Sequence, residues 1–227
     1  VVIESPRHLR RLTELTPEAA ALVLQAYRDR FRVFANDPNM ACGLAFKNCG
    51  RQAGMSQEHI HSQLVALPFL PPVLETELLG ARKFHQRSGQ CVFCHLAESE
   101  QRDSVRLIRQ TEHFLAICPY ASRAPYETWV LPRHHGARFE QTPTTQLAEL
   151  AQLLQQMLRC LENSLRHPAY NYVLHSCPFD TQWEDHYHWH FEIIPRIAHL
   201  AGLEWGTGVY VNIVSPEAAA QTLRDSA

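Results

Sequence analysis

Two long stretches of the chain carry apolar residues at three- and four-residue steps, the period of an amphipathic α-helix. The apolar positions are Leu22, Val23, Ala26, Tyr27, Phe31 and Phe34 in the first stretch, and Leu147, Leu150, Leu154, Met157, Leu158 and Leu161 in the second. A Thr-Pro pair precedes each stretch, which predicts a helix with threonine as N-cap and proline at the first helical position. Each helix can therefore cover one face of a sheet.

Short motifs recur together with these helices at an offset of 126 residues. Pro6-Arg7-His8 returns as Pro132-Arg133-His134, and Thr16-Pro17 returns as Thr142-Pro143. Strand-like runs follow both helices, at Met40 to Phe46 and at Tyr170 to His175. The pattern predicts an α+β fold made by duplication, with two histidine-triad-like repeats, an antiparallel sheet and helices packed on one face. We place the first repeat at 1–72, a linker with a helix from Val73 to Gln86 at 73–90, and the second repeat with a C-terminal tail at 91–227.

A histidine cluster opens the last strand of each repeat, at His59 to Gln63 and at His186 to Glu192. Because alternate residues of a strand share a face, His59, His61 and Gln63 point the same way. Imidazole is nucleophilic at neutral pH, since its ordinary pKa is about 6.5, and it can carry a phosphoryl group. The Gln63 amide can hold a phosphate oxygen, whereas the carboxylate of Glu192 would repel one. We therefore assign phosphoryl chemistry to the first cluster, and expect the additional His186 and His190 of the second to face solvent.

The cysteines predict a metal site in the second repeat. Of the seven cysteines, only Cys91 and Cys94 form a CxxC pair. Two thiolates at this spacing suit a tetrahedral ion, and His134 or His135 with His186, His188 or His190 can complete the set. The donor set favours structural zinc over a redox dithiol, because no thioredoxin-like βαβ pattern surrounds it.

Composition narrows the classes of function. The 227 residues are 45% hydrophobic and carry a formal net charge of −2, so a globular core is expected and a nucleic-acid coat is not. No apolar run approaches the roughly 18 residues of a membrane span, and no secretory signal opens the chain, which predicts a cytoplasmic protein. The chain begins at Val1 in strand-like sequence without methionine, and we expect it to be part of a longer protein.

Taken together, these motifs resemble the galactose-1-phosphate uridylyltransferase family of the histidine-triad superfamily, and most of all its plant-type members that act as ADP-glucose phosphorylases. The resemblance runs from the segment Val1 to His8, through Phe46-Lys47-Asn48 and His59 to Gln63, to the tail from Gly202 to Gly208. Any one of these motifs alone would be weak.

The resemblance implies that His61 attacks the α-phosphorus of a nucleotide sugar, forms a covalent nucleotidyl-histidine and releases a sugar 1-phosphate. A hexose 1-phosphate, or inorganic phosphate in a phosphorylase, would then accept the nucleotidyl group. Gln63 would bind the transferred phosphoryl group. The other implied substrate-binding residues are Asn48, Gly54, Met55, Ser56 and Gln57 around the nucleotide phosphates, and His199, Leu203 and Glu204 on the sugar side. In relatives the tail reaches the partner subunit, which implies a homodimer.

The resemblance also implies one metal site per repeat. Zinc in the second repeat would be held by Cys91, Cys94, His135 and His188. We prefer His135 to His134 because relatives place this ligand three residues after the proline. The spacing from Pro6 to His8 favours His134 instead. The first repeat supplies His8 and His59 without the CxxC pair found in relatives. A catalytically silent, zinc-stabilised module therefore remains a third hypothesis beside transferase and phosphorylase.

Overall fold

Eight antiparallel strands form one sheet in the computed structural model, which describes residues 1–226. The strands are β1 (Val2–Ile3), β2 (Cys42–Cys49), β3 (His61–Leu67), β4 (Leu107–Gln110), β5 (Phe114–Ile117), β6 (Thr128–Pro132), β7 (Tyr170–His175) and β8 (His190–Pro195). Their order is β1-β3-β2-β7-β8-β6-β5-β4, and every neighbouring pair is antiparallel. The predicted α+β fold with an antiparallel sheet is confirmed.

Helices lie against both faces of this sheet, so the prediction that they pack on one face is wrong. They are α1 (Pro17–Ala35), α2 (Pro72–Ser88), α3 (Val92–Asp103), α4 (Thr144–Leu165), α5 (Gly202–Thr207) and α6 (Pro216–Asp225). Helices α1 and α4 contribute most of the main core, where Tyr27 and Leu154 pack in the same cluster as Phe191 of β8. Helix α3 packs Ala97 against Leu115 on the opposite face, because neighbouring residues of β5 point to opposite sides of the sheet. None of the helices within residues 1–226 is long and apolar enough to cross a membrane.

The starts of α1 and α4 differ, although both follow a Thr-Pro pair. The side chain of Thr16 caps α1 by accepting a hydrogen bond from the backbone N–H of Ala19 at 3.2 Å, as predicted. For α4 the prediction is wrong by one residue: the helix starts at Thr144, and Pro143 stands at the N-cap without a side-chain hydrogen bond. A 3-10 turn precedes both helices, but the Thr-Pro pair lies one residue closer to it in the second case: Thr142 itself closes the turn through its N–H to the carbonyl of Phe139, so Pro143 takes the N-cap position.

The apolar pattern predicts burial better for α4 than for α1. All six predicted apolar positions of α4 are buried, whereas Leu22 of α1 is 64% exposed. Strand β7 has its predicted bounds, while β2 begins and ends later than Met40 to Phe46. The linker helix is longer than predicted, running from Pro72 to Ser88.

Candidate active site and metal centre

A cavity of about 440 Å³ lies at the edge of the sheet where β3 begins. Its lining consists of Val1, Ile3, Ser56, Gln57, His59, His61 and Gln63. Five of these seven residues are ones that the sequence singled out. His61 and Gln63 share a face of β3, and β1 pairs beside them, with Ile3 opposite His61. The imidazole of His61 thus borders an open space and is not enclosed by apolar neighbours.

The geometry of His61 leaves one ring nitrogen free. Its Nδ1 lies 2.8 Å from the carbonyl oxygen of His59, so in the neutral ring Nδ1–H donates this hydrogen bond. The tautomer that follows has an unprotonated Nε2 with its lone pair available. The hydrogen bond at the start of β3 thus fixes the ring and leaves Nε2 unprotonated. Nε2 can act as a nucleophile without a separate base to remove a proton.

A buried ion pair supports this strand from behind. Lys47 of β2 is 2% exposed, and its Nζ lies 2.7 Å from Oε2 of Glu4 and 2.9 Å from the carbonyl oxygen of His61, to both of which it donates. The hydroxyl of Tyr27 donates to the other oxygen of Glu4 and lies 2.7 Å from the hydroxyl of Tyr172. Lys47 therefore connects the backbone of the candidate nucleophile to the polar centre of the core.

The loop between β2 and β3 is built around two glycines with positive φ. Gly50 has φ +87°, and a Cβ there would lie 2.7 Å from the Cβ of Ala169, so only glycine fits. Its N–H donates to Sδ of Met55 at 3.4 Å, while Gly54 has φ +84°. Of the predicted loop residues, Ser56 and Gln57 reach the cavity, whereas Gly54 and Met55 are not among its lining residues.

Asn48 does not line the cavity either. Its side-chain oxygen accepts a 2.8 Å hydrogen bond from Nδ2 of Asn171, which also donates to the carbonyl of Ala53. In this arrangement Asn48 ties β2 and β7 to the loop.

The predicted metal ligands of the first repeat lie next to each other. The rings of His8 and His59 have centroids 5.4 Å apart. Nε2 of His59 lies 2.8 Å from the carbonyl oxygen of Ser5 and donates to it in the neutral tautomer, which leaves Nδ1 as the free nitrogen. Two imidazoles make an incomplete site, because a tetrahedral ion needs four donors.

The second repeat has a complete donor set. Ligand atoms of Cys91, Cys94, His135 and His188 all lie within 4.8 Å of one another. Cys91 is the N-cap of α3 and Cys94 lies in its first turn, so the start of one helix carries both thiols. Nδ1 of His135 and Nδ1 of His188 lie 3.3 and 3.7 Å from the Sγ of Cys94. Two sulfurs and two imidazole nitrogens are a zinc donor set, so these residues fit the metal.

Neighbouring groups orient and tune this set. Nε2 of His135 lies 2.7 Å from the backbone oxygen of Glu184, an outer partner of the kind that fixes a ligand ring. The hydrogen bond with Cys94 lowers the pKa of the Cys91 thiol, with help from His135 and His188, which favours the thiolate that binds metal. Burial lowers the pKa of His188, which favours its neutral, metal-binding form. His134, the alternative from the motif spacing, is not part of the cluster.

A second group of possible ligands was missed from the sequence. Glu77 of α2 lies with His175, His190 and Glu192, their ligand atoms within 4.8 Å of one another. Glu77 Oε2 is 2.9 Å from Nδ1 of His175, and Glu77 Oε1 is 3.1 Å from Nε2 of His190. The sequence feature that could have indicated this group is Glu77, which lies on the same helix as the buried Leu74 and Leu78. An acidic residue near a buried helix face needs a partner.

The expectation that His186 and His190 face solvent is wrong, because both are buried, and His190 belongs to this charged group. His186 and His190 are 6% and 0% exposed. Burial alone would lower the pKa of His190, but the carboxylates of Glu77 and Glu192 outweigh it and raise that pKa to about 10. Against the opposing effect of burial, His190, His175 and Arg123 lower the pKa of Glu192 to about 2. Glu192, which takes the place of Gln63 in the second motif, is thus part of a buried group of charged side chains.

The predicted sugar-side residues lie away from the His61 cavity. His199 and Glu204 line a separate cavity of about 40 Å³ together with Arg123, and Leu203 is 53% exposed. Glu204 accepts a 2.9 Å hydrogen bond from the N–H of Ala201, which caps α5. Within this chain the structure does not bring the tail to His61.

Two family models match the chain. The galactose-1-phosphate uridyl transferase N-terminal domain matches residues 1–71, and the C-terminal domain of the same enzyme family matches residues 78–201. Among curated proteins, the chain is 34% identical over 227 residues to ADP-glucose phosphorylase of Arabidopsis thaliana, a match that covers 99% of this chain and 63% of the relative. It is 28% identical over 235 residues to galactose-1-phosphate uridylyltransferase of Thermotoga maritima, covering 100% of this chain and 73% of that protein.

Solved structures agree with these matches. The crystal structure of an ADP-glucose phosphorylase from Arabidopsis thaliana with bound ADP-glucose has a TM-score of 0.93 and 32% identity, and the match covers 99% of this chain and 72% of that one. A structure of uridylyltransferase has a TM-score of 0.92 and 29% identity, with 99% and 73% covered. The chain therefore spans less than two thirds of the length of the Arabidopsis curated relative, and about three quarters of the solved chains.

Proposed function

Because the chain belongs to the galactose-1-phosphate uridylyltransferase family, we propose that it is a nucleotidylyltransferase that works through a covalent nucleotidyl-His61. The observation that supports the proposal most is His61 itself: Nδ1 is bonded to the His59 carbonyl, Nε2 is free, and the ring borders a cavity of about 440 Å³. The substrates proposed are a nucleotide sugar as donor and a hexose 1-phosphate as acceptor.

The reaction proceeds in two displacements at one phosphorus atom. The lone pair on Nε2 of His61 attacks the α-phosphorus of the nucleotide sugar, the bond from phosphorus to the bridging oxygen breaks, and sugar 1-phosphate leaves with that electron pair. A phosphate oxygen of the acceptor then attacks the same phosphorus, and the P–N bond breaks to restore Nε2. The Nδ1–H bond to the His59 carbonyl holds the ring in place throughout and stabilises the positive charge that the ring carries as the adduct.

Other residues of the cavity bind and orient the substrate. Gln63 lies on the same face of β3 two residues beyond His61, and its amide N–H donates to the transferred phosphoryl group without adding negative charge. Ser56 and Gln57, which also line the cavity, supply hydroxyl and amide groups. Asn48, Gly54 and Met55 support the loop that carries these two residues, and we assign them to the nucleotide-phosphate pocket through that loop.

Zinc is the metal proposed for Cys91, Cys94, His135 and His188, with a structural role. An ion held by these four residues would crosslink the start of α3 to the loop after β6 and to the segment before β8, and would thereby stabilise the fold. His8 and His59 are proposed as the corresponding half site. The tail residues His199, Leu203 and Glu204 are proposed to serve the partner's sugar site in a cytoplasmic homodimer, since within one chain they lie apart from His61.

We also propose that the chain consists of two duplicated repeats, at 1–72 and 91–227, with a linker at 73–90. Support comes from matching elements 127 residues apart: 3-10 turns begin at Leu12 and Phe139, and helices begin at Pro17 and Thr144. The same offset relates His8 to His135 and favours His135 over His134 as a ligand. The repeated sequence motif has an offset of 126, one residue less, because the connection before α4 is one residue longer than the motif indicates.

A phosphorylase is the second candidate. The relative from Arabidopsis that is 34% identical is named ADP-glucose phosphorylase, and its solved counterpart contains ADP-glucose. In that case inorganic phosphate, not hexose 1-phosphate, would accept an adenylyl group from His61.

Incubation of the purified protein with UDP-glucose or ADP-glucose, each labelled at the α-phosphorus, tests these proposals together. A uridylyl adduct supports the transferase, an adenylyl adduct supports the phosphorylase, and the absence of both contradicts enzymatic function. The adduct should disappear in His61→Ala and persist in His134→Ala, because His134 lies outside the His61 cavity. Label that remains in His61→Ala would refute the assignment of the nucleophile.

A further inference from the structure

A second polar cavity, of about 250 Å³, lies in the second half of the chain between the loop after β6, the start of α4 and the residue before β8. We call it the indole cavity, after Trp189; its lining also includes His113, His134, Gly136, Thr142 and Pro143, and His135 of the proposed zinc site borders it. It shares no lining residue with the His61 cavity. Neither the proposed reaction nor the zinc site gives it a role.

Two donor groups at this cavity, one of them a buried hydroxyl, have no hydrogen-bond partner among residues 1–226. Trp189 is 2% exposed, yet its indole N–H donates no hydrogen bond, whereas the indole N–H of Trp129 donates to Glu127 at 3.0 Å. The hydroxyl of Thr142, a residue that is 5% exposed, is likewise without a partner. The indole N–H is therefore available to an acceptor that enters the cavity, and the buried hydroxyl would gain a partner from the same acceptor.

The corresponding place in the first half has a leucine where the second half has Gly136. There the N–H of Ile60 donates to the carbonyl of Leu9 at 2.8 Å, just as the N–H of Trp189 donates to the carbonyl of Gly136 at 2.9 Å. Leu9 packs its side chain against the core, whereas Gly136 has none. A Cβ on Gly136 would be in van der Waals contact with the indole, 3.6 Å from Nε1 of Trp189, so a side chain at this position would lie against the N–H.

The electrostatics of the indole cavity favour an anion. No aspartate or glutamate lines it; its charged and polar side chains are imidazoles, amides and the guanidinium of Arg138. Arg138 pairs with Glu184 and Glu140, and Nδ1 of His113 lies 2.6 Å from Oε2 of Glu149, so the attraction for an anion comes mainly from the adjacent helix end. The N-terminus of the 22-residue helix α4 contributes a positive dipole end that Pro143 leaves without a side-chain cap.

We propose that the indole cavity binds a small oxyanion of the phosphate class, either inorganic phosphate or the phosphoryl group of a phosphomonoester. The indole N–H of Trp189 and the hydroxyl of Thr142 are the donors that bind its oxygens. The positive end of α4 compensates its charge. This binding site is separate from His61 and does not depend on the proposed reaction.

The test follows the indole signals of ¹⁵N-labelled, zinc-loaded protein during titration. The chain has four tryptophans, and the signal of Trp189 is assigned as the one missing in Trp189→Phe. Inorganic phosphate should shift this signal saturably. The signal of Trp183 should stay in place, which makes it an internal control, because Trp183 also has an unpartnered N–H but is not part of the indole cavity.

Variants at Gly136 test whether a side chain at this position weakens phosphate binding. Gly136→Ala should raise the Kd for phosphate about tenfold, the loss expected when one hydrogen bond to a charged group is weakened. Gly136→Leu, which copies the first half, should abolish the shift. Gly80→Ala is the matched control with unchanged affinity, since a Cβ there contacts nothing within 4 Å.

Titration with different anions distinguishes inorganic phosphate from a phosphomonoester as the ligand and tests whether the binding is specific. A shift with inorganic phosphate but not glucose 1-phosphate assigns the site to the free anion, and a shift with both assigns it to the phosphoryl group. Chloride at equal ionic strength should have no effect. The proposal is overturned if chloride produces the same shift, if Trp189 does not respond to phosphate, or if Gly136→Ala binds phosphate as well as the unchanged protein.

Discussion

The ion pair behind His61 gives the most demanding prediction, which concerns the substitution Lys47→Met. The side chains of Lys47 and Glu4 are 1% and 0% exposed, and their charged atoms lie 2.7 Å apart. Methionine retains the length of the side chain but leaves the Glu4 carboxylate buried without a counter-charge. Removing one partner of a buried pair costs about 3–5 kcal/mol, and losing the donor to the His61 carbonyl adds about 1 kcal/mol.

Equilibrium unfolding in urea, followed by circular dichroism and by tryptophan fluorescence, measures this loss. The double variant Glu4→Gln, Lys47→Met should recover most of the lost free energy, because it removes the unpaired charge. Arg10→Met is the matched control. Its pair with Glu58 is 2.9 Å long but exposed on both sides, so it should cost less than about 1 kcal/mol.

The same substitution tests whether the pair supports the candidate nucleophile. Lys47→Met should slow adduct formation at His61 under conditions where the protein is still folded, because the Nζ of Lys47 donates to the backbone carbonyl of His61. If Lys47→Met is no more destabilising than Arg10→Met, or if the double variant is less stable than the single one, the reasoning about the buried charge is wrong.

Two further predictions concern the metal and the acid side of the stability curve. Purified protein should contain one zinc ion per chain by metal analysis; Cys91→Ser should lose it, and Cys160→Ser, at a buried cysteine of α4 outside the ligand set, should retain it. Retention of zinc by Cys91→Ser would contradict the assignment. The pKa of Glu192 is lowered to about 2, below the value of about 4.3 for an unfolded chain, so its contribution to stability is present above pH about 4.3 and is lost as the pH falls towards 2. In urea unfolding across this interval Glu192→Gln should therefore show a shallower loss than the unchanged protein, and parallel curves would exclude the effect.

Local pattern in the sequence determined much of this protein. The three- and four-residue period of α4 places all six predicted side chains in the core, and the alternation of β3 places His61 and Gln63 on one face. Both predictions depend only on the geometry of a single element, so neighbouring residues suffice to make them. The pair Cys91 and Cys94 likewise lies within one helical turn.

Tertiary structure decided what depends on how distant segments meet. The motif Pro-Arg-His indicates His134, yet His135 joins the cysteines, because the path of the loop after β6 decides which imidazole faces the thiols. Glu77 reaches His175 and His190 from a helix about 100 residues away in sequence, a pairing that no local period encodes. Charged groups and metal ligands pair with residues that are distant in the sequence. These pairs come within bonding distance only after the strands and helices have packed.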